Sequence, residues 1–330
     1  YHTRPRGFNI DTRPNPCYHE SKISERIFFM KNGTCWLDEA GRPIQAHGGM
    51  ITRFGKKWYW YGEDKGAPNA LLPDGSVSRR VDVIGISCYS SDDLHSWRRE
   101  GLALAGQKAG YLAPENVCER PKVIYSAATG KYVMWFHCDR GDYTLASAGC
   151  AVADRPEGPF TLIRVLPPNR RDCRDMTLFE DPVSGGAYLI HSGDWNKTLY
   201  LSELDASRTE FTGKCVAILP EQEREAPAMC YQDGMYYLFT SGCTGWAPNP
   251  ALYATAPRLD GVFRLIDNPC QGPRFRTTFD GQSACIFRDG ERRYLLLDHW
   301  QPTHLRDSGY SILPLEIQNG ALQVTWRDEF

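Results

Sequence analysis

Apolar residues along the chain fall into short runs separated by tight polar turns. No helical apolar period persists beyond a turn or two. The clearest case is the stretch 225–246. There Glu225 precedes the apolar run Ala226-Pro227-Ala228-Met229-Cys230-Tyr231. Gln232-Asp233-Gly234 forms a turn, the aromatic run Met235-Tyr236-Tyr237-Leu238-Phe239 follows, and a small polar cluster closes the stretch. Two apolar runs around such a turn predict a β-hairpin. Antiparallel pairing then brings the carboxylate at its start to the polar cluster at its end.

The pattern recurs. Hairpins of this kind are read at 47–63, 119–137, 174–192, 225–246 and 282–300. Between them lies a second kind, at 86–97, 150–160, 199–211, 252–263 and 310–326. Each unit is thus two hairpins, or four strands, and units recur roughly every 50–70 residues, the spacing of propeller blades. The prediction is an all-β fold: a five-bladed β-propeller with four antiparallel strands per blade. A β-sandwich does not suit the alternation of two hairpin types. In a propeller the first strand of each blade lines the central channel, so the residues that start those strands meet at one mouth. These are Gln45 and His47, Glu119, Asp175, Glu225 and Gln282. Taken singly, each is a cap or turn residue; repetition at equivalent positions points to a shared site.

Composition narrows the class. A net charge of −2 over 330 residues gives no electrostatic case for nucleic acid or a membrane surface. No run approaches the roughly 18 apolar residues of a membrane helix. The chain has 9 Trp and 17 Tyr, which suit strands and, in part, the flat apolar faces of sugars. None of the 12 Cys forms a CxxC or zinc pattern, and Cys88, Cys150, Cys230 and Cys285 sit in predicted strands as small hydrophobes do. Asn32-Gly33-Thr34 and Asn196-Lys197-Thr198 fit a glycosylation pattern. An extracellular or periplasmic location and a cytoplasmic one are both compatible with these features.

Three carboxyls around an apolar-walled hole cannot all ionise cheaply, so at least one pKa is raised. A raised carboxyl is a general acid, and two carboxyls flanking a bond suit glycoside hydrolysis. A hard cation is the competing use. The residues come from distant segments rather than one loop, which favours catalysis. His47 is either a channel cation ligand or an internal hydrogen-bond donor, the second being preferred. No cofactor is required, and a structural Ca2+ is admitted.

Ile44-Gln45-Ala46-His47-Gly48-Gly49, Trp58-Tyr59-Trp60-Tyr61-Gly62-Glu63, Cys88-Tyr89-Ser90-Ser91-Asp92-Asp93-Leu94 and Glu119-Arg120-Pro121-Lys122-Val123 carry a resemblance. So do Arg174-Asp175, Glu225-Ala226-Pro227, Thr244-Gly245-Trp246-Ala247-Pro248-Asn249 and Gln282. With these motifs the chain resembles glycoside hydrolase family 43 over about residues 28–330, most closely the exo-β-1,3-galactanase-like branch. The resemblance implies a five-bladed propeller and inversion of anomeric configuration. It implies that Glu225 is the general acid and that Asp175 tunes and orients it. The family's usual Asp base at the start of the first blade is missing here, where the chain reads Gln45-Ala46-His47. The galactanase-like branch places a Gln at the fifth blade instead, and Gln282 fits. Gln282 then holds the attacking water or acts as its imidic acid tautomer, or Glu119 takes the proton through a water. Implied sugar contacts are Glu63, Arg120, Tyr143, Asn196 and Thr244; by position alone, Trp246 beside glycines in a loop reads as a sugar platform and His47 as a residue at the channel. Arg120 is equally readable as a partner of Glu119 or Asp175.

These readings predict one catalytic domain over 1–330. Residues 1–40 form an N-terminal extension and ring-closing strand, and there is no carbohydrate-binding module. Loops 64–82, 102–118 and 267–281 are expected to close an exo-acting pocket on one side. The expected substrate is terminal galactose on arabinogalactan-type β-1,3-galactan, a plant-type or microbial polysaccharide. Alternatives are α-L-arabinofuranose or β-D-galactofuranose on the same fold, and a sugar-binding propeller without turnover.

Overall fold

The structure, a computed structural model, describes residues 30–330; the expected extension over 1–29 lies outside the described residues. Four antiparallel sheets of four strands and one larger sheet follow one another along the chain. Blade one comprises His47–Phe54, Lys57–Glu63, Gly85–Ser91 and Arg98–Ala105. Blade two comprises Val117–Ser126, Lys131–Asp139, Ser147–Ala153 and Thr161–Leu166. Blade three runs through Met176–Glu180, Ala187–Gly193, Thr198–Leu204 and Phe211–Leu219. Blade four runs through Arg224–Gln232, Met235–Gly242, Leu252–Ala256 and Arg264–Leu265. Blade five holds Gln282–Asp289, Arg292–His299, Gly309–Gln318 and Ala321–Thr325. The five-bladed propeller expected from the repeat is the observed fold.

Two details differ from the expectation. Cys270–Gln271 adds a fifth, parallel strand to the outer edge of blade five. The described part of the expected ring-closing strand makes isolated bridges, Lys31 with Glu329 and Thr34 with Tyr310, rather than a ladder. Asn32 pins it, accepting from the Ile312 amide at 2.9 Å and donating to the Arg327 carbonyl at 3.0 Å.

The core lies between blades, which explains the unbroken apolar strands: a sheet covered on both faces needs no polar side. Trp58 and Trp60 pack toward blade five, with Phe287, Leu296, Tyr310 and Ile312. The alternate residues, Tyr59 and Tyr61, pack toward blade two, with Val123, Met134 and Phe136. Three further clusters fill the remaining interfaces, around Trp135 and Leu189, Leu201 and Leu238, and Phe239 and Leu313. Cys88, Cys150, Cys230 and Cys285 are buried among these strands as free thiols.

The inner strands share a distortion that matters for the site. Register slips between His47 and Met50, between Glu119 and Lys122, and between Glu225 and Ala228. In each slip the second residue is left-handed: Gly48 at φ 58°, Arg120 at 54° and Ala226 at 50°. Such a bulge re-aims the side chain beside it. Gly49 is needed for another reason, since a Cβ there would lie 1.6 Å from the Tyr61 carbonyl oxygen.

Trp60 is fully buried, so Trp60→Ala is expected to lower the unfolding free energy by about 3–5 kcal/mol in denaturant titration. Val262→Ala, at a residue 74% exposed, is expected to change it by less than about 0.5 kcal/mol.

Candidate active site

The starts of the inner strands and the ends of their antiparallel partners meet at one mouth of the ring. Register pairs His47 with Glu63, Glu119 with His137, Glu225 with Ser241 and Gln282 with Asp298. A cavity of about 350 Å³ opens there, the size of a small-ligand site. Glu63, Glu119, Arg120, Tyr143, Asp175, Asn196, Glu225, Trp246 and Gln282 all line it, so the structure brings these expected residues together.

Arg120 is the centre of the arrangement. Its Nε donates to Asp175 Oδ1 at 3.1 Å and its Nη2 lies 2.9 Å from Asp175 Oδ2. The same Nη2 donates to Gln282 Oε1 at 2.6 Å, and Nη1 to the Ser283 carbonyl at 2.6 Å. Blades two, three and five are thereby tied by one buried cation. Asp175 also accepts the amide of the strained Ala226 at 3.0 Å, which fixes the backbone beside Glu225.

Glu225 accepts from Gln282 Nε2 at 3.1 Å, and Asn196 Nδ2 lies 3.5 Å from its other oxygen. Burial, aided by the nearby charge of Asp175, pushes the Glu225 carboxyl up to about 8. It therefore keeps its proton at neutral pH, the condition for a general acid. Gln282 is fully engaged by protein. Its oxygen accepts from Arg120 and from Trp300 Nε1 at 3.0 Å; its nitrogen donates to Glu225 and to Ser241 Oγ at 3.2 Å.

The cavity lining carries two more carboxylates with contrasting character. Glu63, paired with Lys65 Nζ at 2.8 Å, is pushed up to about 7 by burial. Glu119 is held down to about 2: burial opposes ionisation, but His137, Lys65 and Arg120 outweigh it. His137 Nδ1 lies 3.4 Å from Glu119, and its Nε2 is 3.0 Å from Asp139. Although burial opposes protonation, these two carboxylates push the imidazole up to about 9, making it a cation. The Tyr143 hydroxyl donates to Glu119 Oε1 at 3.3 Å.

Two expectations are corrected by position, and of the readings of His47 the internal one is observed and the ligand-facing one is not. His47 is fully buried below the cavity. Its Nδ1 is 3.2 Å from Asp298 and its Nε2 is 3.1 Å from the Tyr310 hydroxyl, so both nitrogens are engaged internally and the ring does not face a ligand. Thr244 lies outside the lining; its hydroxyl donates to the Ala247 carbonyl at 2.6 Å and accepts from Asn249 at 2.8 Å, shaping the loop that presents Trp246. Of the loops expected to close the pocket, 64–82 contributes Lys65, while 102–118 and 267–281 contribute no lining side chain. Much of 64–82 is instead a hairpin, Asn69–Leu71 with Val77–Val81, tied to Pro302 through Asn69 at 2.9 Å. No cluster of three or more metal-ligating side chains occurs among the described residues.

Lys65, His137, Arg174 and Trp300 also line the cavity and were assigned no role from the sequence. His137 and Trp300 had a signal: they lie at or just past the ends of second strands, the positions antiparallel pairing brings beside the strand starts. Arg174 stands in the Arg174-Asp175 motif and Lys65 in the 64–82 loop, but neither drew a role, because a cation next to a carboxylate in sequence is ordinarily a solvated surface pair.

Comparison with known proteins gives a consistent picture. A family model described as glycosyl hydrolases family 43 matches residues 50–264. No curated protein sequence matches the chain. A solved family 43 β-1,3-galactosidase is 31% identical with TM-score 0.83, covering 92% of this chain and 63% of that one. A second, solved with galactodeoxynojirimycin, is 34% identical with TM-score 0.82, covering 91% and 99%. An exo-β-1,3-galactanase from Phanerochaete chrysosporium, solved as a variant with β-1,3-galactotriose, is 33% identical with TM-score 0.83, covering 91% and 67%. The chain thus spans under two thirds of the first relative's length and nearly all of the second's.

Replacing Arg120 by Met leaves Asp175 without its cation. The variant is expected to lose about 3 kcal/mol of unfolding free energy, the cost typical of breaking a buried pair from one side. Denaturant titration at neutral pH measures it.

Proposed function

The chain belongs to family 43 of the glycosyl hydrolases, and from that premise we propose that it is an inverting exo-β-1,3-galactanase releasing terminal galactose from arabinogalactan-type β-1,3-galactan. The observation that carries this reading is the contact of Gln282 with Glu225 at 3.1 Å beside Asp175, in a chain that reads Gln45-Ala46-His47 where the family usually has an Asp at the first blade. Glu225 gives its proton to the glycosidic oxygen as the bond to the anomeric carbon breaks. Asp175 raises the acid's pKa by charge and fixes its backbone through Ala226. A water attacks the opposite face of the sugar, giving inversion; as the new C–O bond forms the water's proton leaves to solvent, from which Glu225 is reprotonated.

Gln282 orients that water. Its amide plane is set by Arg120 and Trp300, and an Nε2 hydrogen turns from Ser241 or Glu225 to the water when substrate fills the pocket. Glu119, held near 2, is too weak a base to take the proton efficiently. It accepts from a sugar hydroxyl, while Lys65 Nζ donates to one and the Tyr143 hydroxyl stands beside them. The half-buried Trp246 packs edge-on against Trp300 at 5.5 Å and walls the sugar's apolar face.

NMR of the first product from β-1,3-galactobiose is expected to show α-galactose; β-galactose would mean retention and reject the mechanism. Glu225→Gln is expected to lower kcat by roughly 10²–10⁴-fold. A wild-type protein inactive on β-1,3-galactobiose and on aryl α-L-arabinofuranoside and β-D-galactofuranoside alike would indicate a sugar-binding propeller instead.

The alkaline limb of kcat/KM reports Glu225 in the free enzyme, so activity is expected to fall as pH rises through about 8. Asp175→Asn removes the like charge that favours the protonated acid. Its limb is expected to move to lower pH, by about one unit. A limb that stays in place or moves up contradicts the assigned role.

A further inference from the structure

Of the 9 tryptophans, Trp195 alone is strongly exposed, at 71%. It stands on the rim of the cavity, between two residues that anchor it. Asn196 reaches inward to within 3.5 Å of Glu225. Asp194 accepts a hydrogen bond from the Tyr200 hydroxyl. All three residues are left-handed, with φ of 52°, 58° and 64°, a run that L-residues adopt only when the surroundings impose it. Here Asp172 imposes it, accepting the amides of Asp194 and Trp195 on its two carboxylate oxygens. One face of the Trp195 ring is covered by the Arg174 guanidinium, 4.3 Å from the ring centroid. Arg174 is itself buried, paired with Asp172 and part of the cavity wall. The ring is therefore held in place, apolar, and open on its other face.

A single exposed ring needs no explanation by itself, but this one is fixed by Arg174 and by the Asp172 hydrogen bonds, beside residues of the cavity wall. Its position suggests a use. The acid gives its proton to the oxygen that departs with the leaving group, so the leaving sugars lie on the acid's side. There Asn196 touches Glu225, and Trp195 is the next residue outward. We propose that Trp195, backed by Arg174, is a platform for the leaving-group side of the substrate, stacking on the apolar face of a pyranose beyond the bond to be cleaved. The proposal rests on the hydrolase reading of the same cavity. Because ring and cation are already fixed, little rotamer freedom is lost on binding. The platform favours oligomers over the monosaccharide, and so sets chain-length preference rather than the chemistry.

The test uses Glu225→Gln protein, in which loss of the acid slows turnover, with and without Trp195→Ala or Trp195→Phe. Calorimetry follows galactose, β-1,3-galactotriose and an arabino-oligosaccharide. Trp195→Ala is expected to weaken galactotriose binding about three- to tenfold, as loss of one stacked ring predicts. Galactose affinity is expected to stay the same, and Trp195→Phe to retain most of the galactotriose affinity. Equal galactotriose affinity with and without the ring overturns the platform, and so does an equal loss for galactose and galactotriose. If only the arabino-oligosaccharide binds, the galactan substrate is wrong, and the platform stands or falls by the same comparison on that ligand. No binding of any of them overturns both. Melting temperatures confirm that the variants fold.

Discussion

One buried guanidinium decides how this site is built. A charge out of water is costly unless paired and hydrogen-bonded. Arg120 meets that condition only by spanning three blades, with donors to Asp175, to Gln282 and to the Ser283 carbonyl. The left-handed bulge at Arg120 turns its side chain to that task, and the bulge at Ala226 places an amide where Asp175 accepts it. With Asp175 so occupied, its charge is fixed in place beside Glu225. The neighbouring carboxyl then carries the strain of the cluster by holding its proton.

The same cavity therefore contains carboxyls with very different character. Glu225 sits near 8, Glu63 near 7 and Glu119 near 2. Burial acts on all three, so burial does not separate them. What separates them is the balance of neighbours: the Asp175 charge beside Glu225, the Glu119 charge working against Lys65 at Glu63, and at Glu119 the His137 imidazolium with Lys65 and Arg120 around it. His137 owes its own charge to Asp139 on its far side. This division of labour gives one proton donor and one permanently anionic acceptor from identical functional groups.

The fold was legible because its signal is local and repeated. The run Trp58-Tyr59-Trp60-Tyr61 shows a strand buried on both faces, and its alternating residues do pack against two different blades. The convergence of Glu119, Asp175, Glu225 and Gln282 followed from counting blades. What was not legible depends on distances between blades. His47 shares its place in the repeat with Glu119 and Glu225, yet it turns beneath the cavity because Asp298 and Tyr310 hold both of its nitrogens. Thr244 sits among glycines like a ligand-facing residue, but its hydroxyl is used within its own loop. Lys65 and Arg174 face inward only because the ring folds them there. The fifth strand at Cys270–Gln271 is two residues long, too short to leave a pattern.

The account turns on Glu225 being protonated before substrate arrives. Isotope-edited infrared titration of its carboxyl in the free protein, taken as a difference against Glu225→Gln, measures this directly. The account predicts a midpoint near 8. A midpoint near the ordinary glutamate value of about 4.3 would show the side chain ionised at neutral pH, and Glu225 would not be the proton donor.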